Sequence, residues 1–319
     1  MTSNSEAQLR VGVFGVGSLG QHHARIYSEL DNADLVGVYD INPDRAREIA
    51  ARHGVEPFTD MDALAGKIDA ASVAVPTDKH YDIFNRLIEH DLHLLVEKPI
   101  AARTEEAERM VRTAQERGCI LQVGHVERFN PVMQFLEDNL TQARFIEATR
   151  LAPYPPPRPG APPRGTEVSV VLDLMIHDLD IILHIVRSPL REIHATGVPV
   201  LSPSEDIANV RLIFENGCVA NVTASRISVD KMRKIRVFQP DTYVSLDYMN
   251  QTGMLHRKQG MRIEAIEVPI EKGEPLANEL SSFVQCVIHR RNPVVSGEHG
   301  WQAMKLAVDI CRTIQDNPS

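Results

Sequence analysis

Three groups of residues in this sequence have the types and spacing to do chemistry. Gly15, Gly17 and Gly20 stand in G-x-G-x-x-G spacing directly after the apolar run Val11, Val13, Phe14, and Asp40 follows twenty residues after Gly20. Lys98 lies in the triplet Glu97-Lys98-Pro99 at the end of another apolar run, and Asp173 and His177 lie four residues apart in DLMIHDLD. The first group suits a dinucleotide. One glycine allows a sharp turn, the next lets the backbone approach a pyrophosphate with no Cβ between, and the third lets a helix lie close to its strand. The helix N-terminus then turns its free N–H groups toward the anion. Gly15, Val16, Gly17, Ser18 and Leu19 are the expected pyrophosphate contacts, and Asp40 is the expected acceptor for ribose hydroxyls. A 2′-phosphate beside Asp40 would be repelled, so NAD is favoured over NADP, with Arg45 as a counterweight.

The other two groups suit proton and hydride chemistry. A lysine near an oxidised nicotinamide loses proton affinity by like-charge repulsion and burial, which fits Lys98 to polarise a substrate hydroxyl. On a helix, Asp173 and His177 share a face, and a carboxylate can orient an imidazole as a general base. Each has a plainer alternative: a solvated loop lysine, and a hydrogen-bonded pair on an apolar helix. Asp173, His177 and His184 also stand at helical spacing that could hold a metal, although no recognised ligand motif surrounds them, and no metal is expected.

The elements that must carry these residues alternate through the first 124 positions. Leu35–Tyr39 reads as a strand ending at Asp40, and Asn42-Pro43 as the N-cap and first residue of a helix stopped by Gly54. Ala70–Val75 is a strand running into Pro76-Thr77, with Thr77 placed to cap a helix bearing Ile83, Phe84, Leu87 and Ile88 on one face. Leu92–Val96 and Ile120–Val123 are further strands, separated by a helix opening at Thr104. The expected fold class is α/β: an N-terminal Rossmann doubly wound parallel sheet in residues 1–124, which carries NAD, followed by a C-terminal α+β domain in 125–319 for substrate binding and oligomerisation. That second domain is expected to hold an open, mostly antiparallel sheet, with its C-terminal helices packing back on the Rossmann domain. A stiff loop of seven prolines over 151–165 precedes an apolar helix over 168–186. Asn216-Gly217 then marks a hairpin between Val210–Phe214 and Val219–Ala224. Ligands of doubly wound sheets sit at the carboxyl ends of strands, where Pro76, Thr77, Glu97 and Lys98 all fall. The chemistry is therefore expected where the two halves meet.

Composition sets outer limits. The 319 residues are 43% hydrophobic and 24% charged, and 34 Lys plus Arg against 43 Asp plus Glu give a net charge of −9. That balance argues against nucleic acid or an anionic membrane as the main partner. The polar start MTSNSEAQLR and the lack of a long apolar run point to the cytoplasm. Cys119, Cys218, Cys286 and Cys311 are scattered without ligand spacing and read as buried thiols.

Taken together, the glycine turn with Gln21-His22-His23, the Pro76-Thr77 strand end, Glu97-Lys98-Pro99, the connector from Gly124 to Pro131, and Asp173–Asp180 resemble one family. It is the glucose-fructose oxidoreductase, inositol dehydrogenase and rhizopine catabolism (Gfo/Idh/MocA) group of nicotinamide-dependent sugar oxidoreductases. The resemblance spans nearly the whole chain. It implies an enzyme with Lys98, Asp173 and His177 as the catalytic set. It also implies Glu97 and Arg128 as nicotinamide-ribose neighbours, Pro76 and Thr77 near the cofactor, His80 near the cofactor or substrate, and an open sheet that forms a homodimer or homotetramer. Met175 departs from the glycine of many relatives, and His125-Val126-Glu127 departs in the connector before Arg128. Within the family, GHVERFNP, VVLDLMIHDLD, NGCVANVTASR and KMRKIRVFQ resemble the UDP-N-acetylglucosamine 3-dehydrogenases. That branch implies a nucleotide sugar oxidised at C3, with Lys98 and His177 binding substrate; such a substrate suits the loop residues Arg158 and Arg164, which could grip its pyrophosphate, with solvated loop arginines as the alternative. Lys231, Arg233, Lys234 and Arg236 read as a solvated strand edge, with a phosphate contact as the alternative. A free sugar, an inositol or a bile pigment stays open as substrate. So do two other classes, a non-enzymatic NADH sensor and a zinc alcohol dehydrogenase.

Overall fold

The computed structural model describes residues 8–158 and 163–317. The polar opening of the chain and residues 159–162 of the proline run, both read above, lie outside the described residues. The chain forms two compact units: one runs to Val126 and takes in Glu274–Trp301, and the other comprises Glu127–Gly273 and the chain from Gln302 onward.

The first unit alternates as its apolar runs require: β1 (Leu9–Phe14), α1 (Gly20–Glu29), β2 (Ala33–Tyr39), α2 (Pro43–His53), β3 (Glu56–Phe58), α3 (Met61–Ala65), β4 (Ala70–Val73), α4 (His80–Ile88), β5 (His93–Glu97), α5 (Thr104–Glu116) and β6 (Leu121–Gly124). The six strands pair in parallel in the order β3-β2-β1-β4-β5-β6. β1 lies between β2 and β4, so the glycine turn leaves the sheet where strand order reverses, the position at which such sheets bind ligands. Asn42 caps α2 by accepting the N–H groups of Asp44 and Arg45, and Gly54 ends it in the left-handed region at φ 68°. Thr77 does not cap α4: a 3₁₀ turn over Thr77–Lys79 comes first, and no side chain caps either element. The geometry after Pro76 favours tighter i→i+3 bonds there.

The second unit holds α6 (Pro131–Asn139), β7 (Phe145–Leu151) and α7 (Ile176–Val186), followed by β8 (Leu190–Val198), β9 (Ile207–Phe214), β10 (Val219–Ser225), β11 (Met232–Phe238), β12 (Thr242–Asp247), β13 (Thr252–Gln259) and β14 (Arg262–Glu267). Its eight strands run in the order β14-β13-β12-β11-β7-β10-β9-β8, antiparallel except for the β7–β10 pair. One face is buried, with Ile146, Ala148, Val210, Leu212, Val222, Ile235, Val237 and Val244 all closed to solvent. Gly217 at φ 82° makes the β9–β10 hairpin turn. The basic run is no sheet edge: β11 lies between β12 and β7, and Arg236 and Lys234 are neutralised across the strands by Glu147 at 3.0 Å and Asp247 at 3.7 Å.

α8 (Pro275–Ile288) returns to the first unit, where Leu280, Phe283, Val284 and Val287 join Val11, Val13 and Leu95 in one apolar cluster. Burial of that helix face contributes about 1.5–3 kcal/mol per large side chain. Ile288, at the helix end, is exposed. α9 (Gly297–Asp316) is the last element. Of the four cysteines, only Cys218 and Cys286 are buried, whereas Cys119 and Cys311 are partly open to solvent. No helix among the described residues is long and apolar enough to cross a membrane.

Candidate active site

In the first unit, the three glycines are held to three different standards by their surroundings. Gly15 has φ 87°, and a Cβ there would meet Val75 Cγ1 at 2.6 Å. At Gly20 a Cβ would collide with the Gly15 carbonyl, 2.9 Å from its carbon. Gly17 has nothing within 4 Å of that position and lies exposed beside Ser18. The protein's own packing thus demands glycine at 15 and 20 and leaves a bare, open Cα at 17. A bound pyrophosphate fits that opening, because it would come up against the main chain where a side chain would otherwise stand. Val16 is buried and Leu19 half-buried, so these two supply backbone rather than side chains to the turn.

Asp40, at the end of β2, accepts the N–H of Val16 on Oδ2 and that of Asn42 on Oδ1, both at 2.9 Å. Its carboxylate is therefore tied to the phosphate turn. Arg45 donates to the Val16 carbonyl at 2.9 Å, to Gln21 Oε1 at 2.9 Å and to Glu48 at 2.8 Å, so this cation is engaged with protein acceptors. Ile41, which the motif did not flag, is 91% exposed directly after the carboxylate. A large apolar side chain left in water beside a ribose acceptor offers a flat contact to an aromatic base.

Pro76 is exposed and Thr77 half-buried at the end of β4, as a ligand-facing strand end requires. At the end of β5 the Glu97 carboxylate turns inward: Oε1 lies 3.1 Å from His23 Nε2, and Oε2 accepts the Lys98 N–H at 3.3 Å. Glu97 rests on Gly124, where a Cβ would fall 2.7 Å from Oε2. Lys98 itself is half-buried, and its peptide bond to Pro99 is cis. His80 is buried, with Nδ1 2.9 Å from the Pro99 carbonyl and Nε2 2.9 Å from that of Val75. Both ring nitrogens thus bridge the backbone behind the β4 and β5 ends. Burial pushes the His80 pKa down, while the carbonyls of Val75 and Pro99 oppose that shift.

In the second unit, Asp173 lies in a π-helical turn, Val171–Met175, that runs directly into α7 at Ile176. Such turns are rare and concentrate at functional sites. Asp173 and His177 are both half-buried, so the DLMIHDLD segment keeps two polar groups partly open to solvent while its Asp178 and Asp180 are buried. His184 pairs instead with Glu137 at 2.7 Å. Among the described residues, no group of three or more His, Cys, Asp or Glu stands in position to hold a metal ion.

Sequence reading missed the buried charges that hold this segment. Arg150 on β7 binds Asp178, the residue after His177, through Nε and Nη2 at 2.7 and 3.2 Å, and binds Glu127 through Nη1 at 2.9 Å. Burial would push the Glu127 carboxyl up, but Arg150 and Arg233 hold it below the usual carboxylate range. Arg128 is buried with its guanidinium 3.6 Å from Asp180, while Arg158 and Arg164 are exposed. The only local signal was an acid beside the histidine of an apolar helix, which does not name its partner.

A parallel sheet in this order, a glycine turn at its reversal point and an acid after the second strand define a Rossmann dinucleotide-binding unit. Residues 9–125 match the model of an oxidoreductase family with an NAD-binding Rossmann fold, and residues 137–240 match the Gfo/Idh/MocA C-terminal domain. The chain belongs to the Gfo/Idh/MocA family and is an NAD-binding oxidoreductase. It is 34% identical over 311 residues to a UDP-N-acetylglucosamine 3-dehydrogenase of Acidithiobacillus ferrooxidans, covering 95% of this chain and 96% of that one. A solved structure of an enzyme of that name from the same organism superimposes with a TM-score of 0.91 at 33% identity, over 98% of this chain and 99% of the other. A myo-inositol 2-dehydrogenase of Thermotoga maritima is 27% identical, covering 98% of both chains.

Proposed function

We propose that this protein oxidises a secondary hydroxyl of a nucleotide sugar, the C3 hydroxyl of UDP-N-acetylglucosamine, to a 3-ketosugar. The observation that carries this reading is the end-to-end likeness to the Acidithiobacillus ferrooxidans enzyme of that activity, 34% over 95% of the chain. It is supported by the presence of Lys98, Asp173 and His177 in a chain that also carries the dinucleotide motif, since a sensor of NADH would need the motif alone. The main chain of Gly15, Val16, Gly17, Ser18 and Leu19 would hold the pyrophosphate of NAD and Asp40 the adenosine ribose. Pro76, Thr77, His80, Glu97 and Arg128 would shape the nicotinamide end, His80 and Glu97 from behind. Bound NAD⁺ supplies a hydride acceptor. His177 takes the hydroxyl proton, Asp173 orients its ring, and Lys98 donates to the oxygen as negative charge develops there. Arg158 and Arg164 give two exposed guanidinium groups suited to the diphosphate of the substrate. We further assign the protein to the cytoplasm as a homodimer or homotetramer built on its open sheet, to be checked by light scattering.

The deciding experiment is incubation with UDP-N-acetylglucosamine and NAD⁺. Growth of reduced-nicotinamide absorbance together with a sugar product lighter by two hydrogens is the expected result. Turnover of inositols or free sugars in its place overturns the nucleotide-sugar assignment, and no turnover of any CH–OH donor overturns the catalytic one.

A further inference from the structure

Asp173 rests on a glycine. Gly165, at the end of the proline-rich stretch, has φ 83°, and a Cβ built there would overlap Asp173 Oδ2 and stand 2.8 Å from its Cγ. The carboxylate fills the space that any other residue at 165 would claim. Its position therefore depends on where the 165–168 backbone is held: Thr166 donates its N–H and hydroxyl to the Pro163 carbonyl at 3.1 and 2.7 Å, and one buried guanidinium ties two of the turn's carbonyls. Arg226, directly after β10, is buried and donates through Nη1 to the carbonyls of Gly165 at 2.6 Å and Val168 at 2.8 Å.

The rest of that guanidinium is fully occupied. Nε donates to Asp206 Oδ1 at 2.7 Å, and Nη2 to the hydroxyls of Ser202 at 2.8 Å and Ser204 at 3.2 Å. Its five N–H donors meet five acceptors, the complete capacity of an arginine. Asp206 is equally saturated: Oδ2 accepts the N–H groups of Val200, Leu201 and Ser202 at 2.8, 2.6 and 2.9 Å, and Oδ1 also accepts the Ser202 hydroxyl at 2.6 Å. A buried ion pair whose donors and acceptors are all used holds the segments it joins in one arrangement. Here the geometry it fixes is the turn under Asp173.

We propose that Arg226 is a positioning residue for Asp173, acting through the Gly165–Val168 backbone, and that Gly165 is required both for its left-handed φ and because the Asp173 carboxylate occupies the place of its side chain. This rests on the proposed function only in assigning Asp173 to orient His177. A structural clamp with no part in the reaction would lower stability alike whatever stands at position 173. A positioning clamp loses its effect once Asp173 is gone.

The test is a pair of double-mutant cycles. Arg226→Lys keeps the charge opposite Asp206 but replaces a five-donor fork by one ammonium, and Gly165→Ala inserts the excluded methyl. Each is made in the natural background and in Asp173→Ala. In the natural background both substitutions lower kcat by about 10²-fold, the scale of a misplacement near 1 Å, while the KM for NAD⁺ stays within about twofold. In the Asp173→Ala background the same substitutions change kcat by less than about threefold. Equal losses in the two backgrounds overturn the proposal. A second reading needs no turnover: by NMR, the titration midpoint of the His177 ring falls in Gly165→Ala and in Arg226→Lys, in the same direction as in Asp173→Ala. A His177 midpoint unmoved in Gly165→Ala and Arg226→Lys also overturns it. Failure of the unsubstituted protein to reduce NAD⁺ defeats the functional reading instead, and the titrations still decide the clamp.

Discussion

The carboxylate of Asp40 accepts the backbone N–H of Val16 at 2.9 Å, so the residue expected to bind ribose also braces the turn expected to bind phosphate. The relation joins the ends of β1 and β2, and in the proposed function one anionic group would serve two parts of the same ligand. Asp40→Ala is therefore expected to weaken NADH binding by about 10–100-fold, the range for losing hydrogen bonds to a charged acceptor. The preference for NAD over NADP should shrink with it, because the charge that repels a 2′-phosphate is gone. Fluorescence titration with NADH and NADPH measures both. Unchanged affinity for NADH would remove Asp40 from the site.

Gly17 and Gly20 separate ligand binding from folding. A Cβ at Gly20 would run into the Gly15 carbonyl, whereas one at Gly17 would meet nothing within 4 Å. Gly20→Ala is expected to lower the melting temperature by several degrees, a cost of about 1–3 kcal/mol for overpacking. Gly17→Ala should leave the melting temperature of the unliganded protein within about a degree, yet weaken NADH binding about tenfold or more. A Gly17→Ala protein that binds NADH normally would show that no phosphate approaches that Cα.

Much of this was legible in the chain because it is local. The glycine spacing, the acid after β2, the capped α2 and the Gly217 hairpin all follow from residues within a few positions of each other. Long-range pairings were not legible. His23 meets Glu97 across 74 residues, and Arg226 reaches Gly165 across 61, and neither is implied by periodicity or motif. The inner position of β11 was hidden for the same reason, since a strand rich in lysine and arginine resembles an edge until its acidic neighbours on β7 and β12 are known. The π-helical turn under Asp173 was read as continuous helix because one inserted residue leaves the apolar pattern almost intact.

Asp206 gives the second unit a dependence on acid. Burial would raise its carboxyl, but hydrogen bonds from Ser202, from Arg226 and from the Leu201 and Val200 N–H groups outweigh that and hold it far below the usual carboxylate range. A group whose folded pKa is depressed stabilises the fold above its unfolded pKa, near 3.9, and that contribution fades as pH falls toward the folded value. The gap in melting temperature between the natural protein and Asp206→Asn should thus be constant from pH 7 to about pH 5 and narrow below about pH 4. Calorimetry across that range measures it. A gap that widens in acid would mean that Asp206 is protonated in the folded state.

Lys98 and His177 carry the reaction in the proposed mechanism, and their substitution should separate chemistry from binding. Lys98→Met keeps the length and removes the charge that meets the developing oxyanion, while His177→Ala removes the base. Each is expected to lower kcat by about 10²–10⁴-fold, with the dissociation constant for NADH within about threefold, since neither supplies the phosphate turn or Asp40. The two defects should differ in repair. Added imidazole can accept a proton in the space left at His177 and should restore part of the turnover of His177→Ala, but it supplies no fixed cation and should leave Lys98→Met unimproved. Asp173→Asn should fall between, because the ring stays while the group that orients it loses its charge. Stopped-flow measurement with single-turnover amounts of NAD⁺ places the loss in the hydride step. A full-rate hydride step in Lys98→Met and in His177→Ala would transfer the chemistry to other residues and leave the glycine turn and Asp40 as the parts of the site that stand.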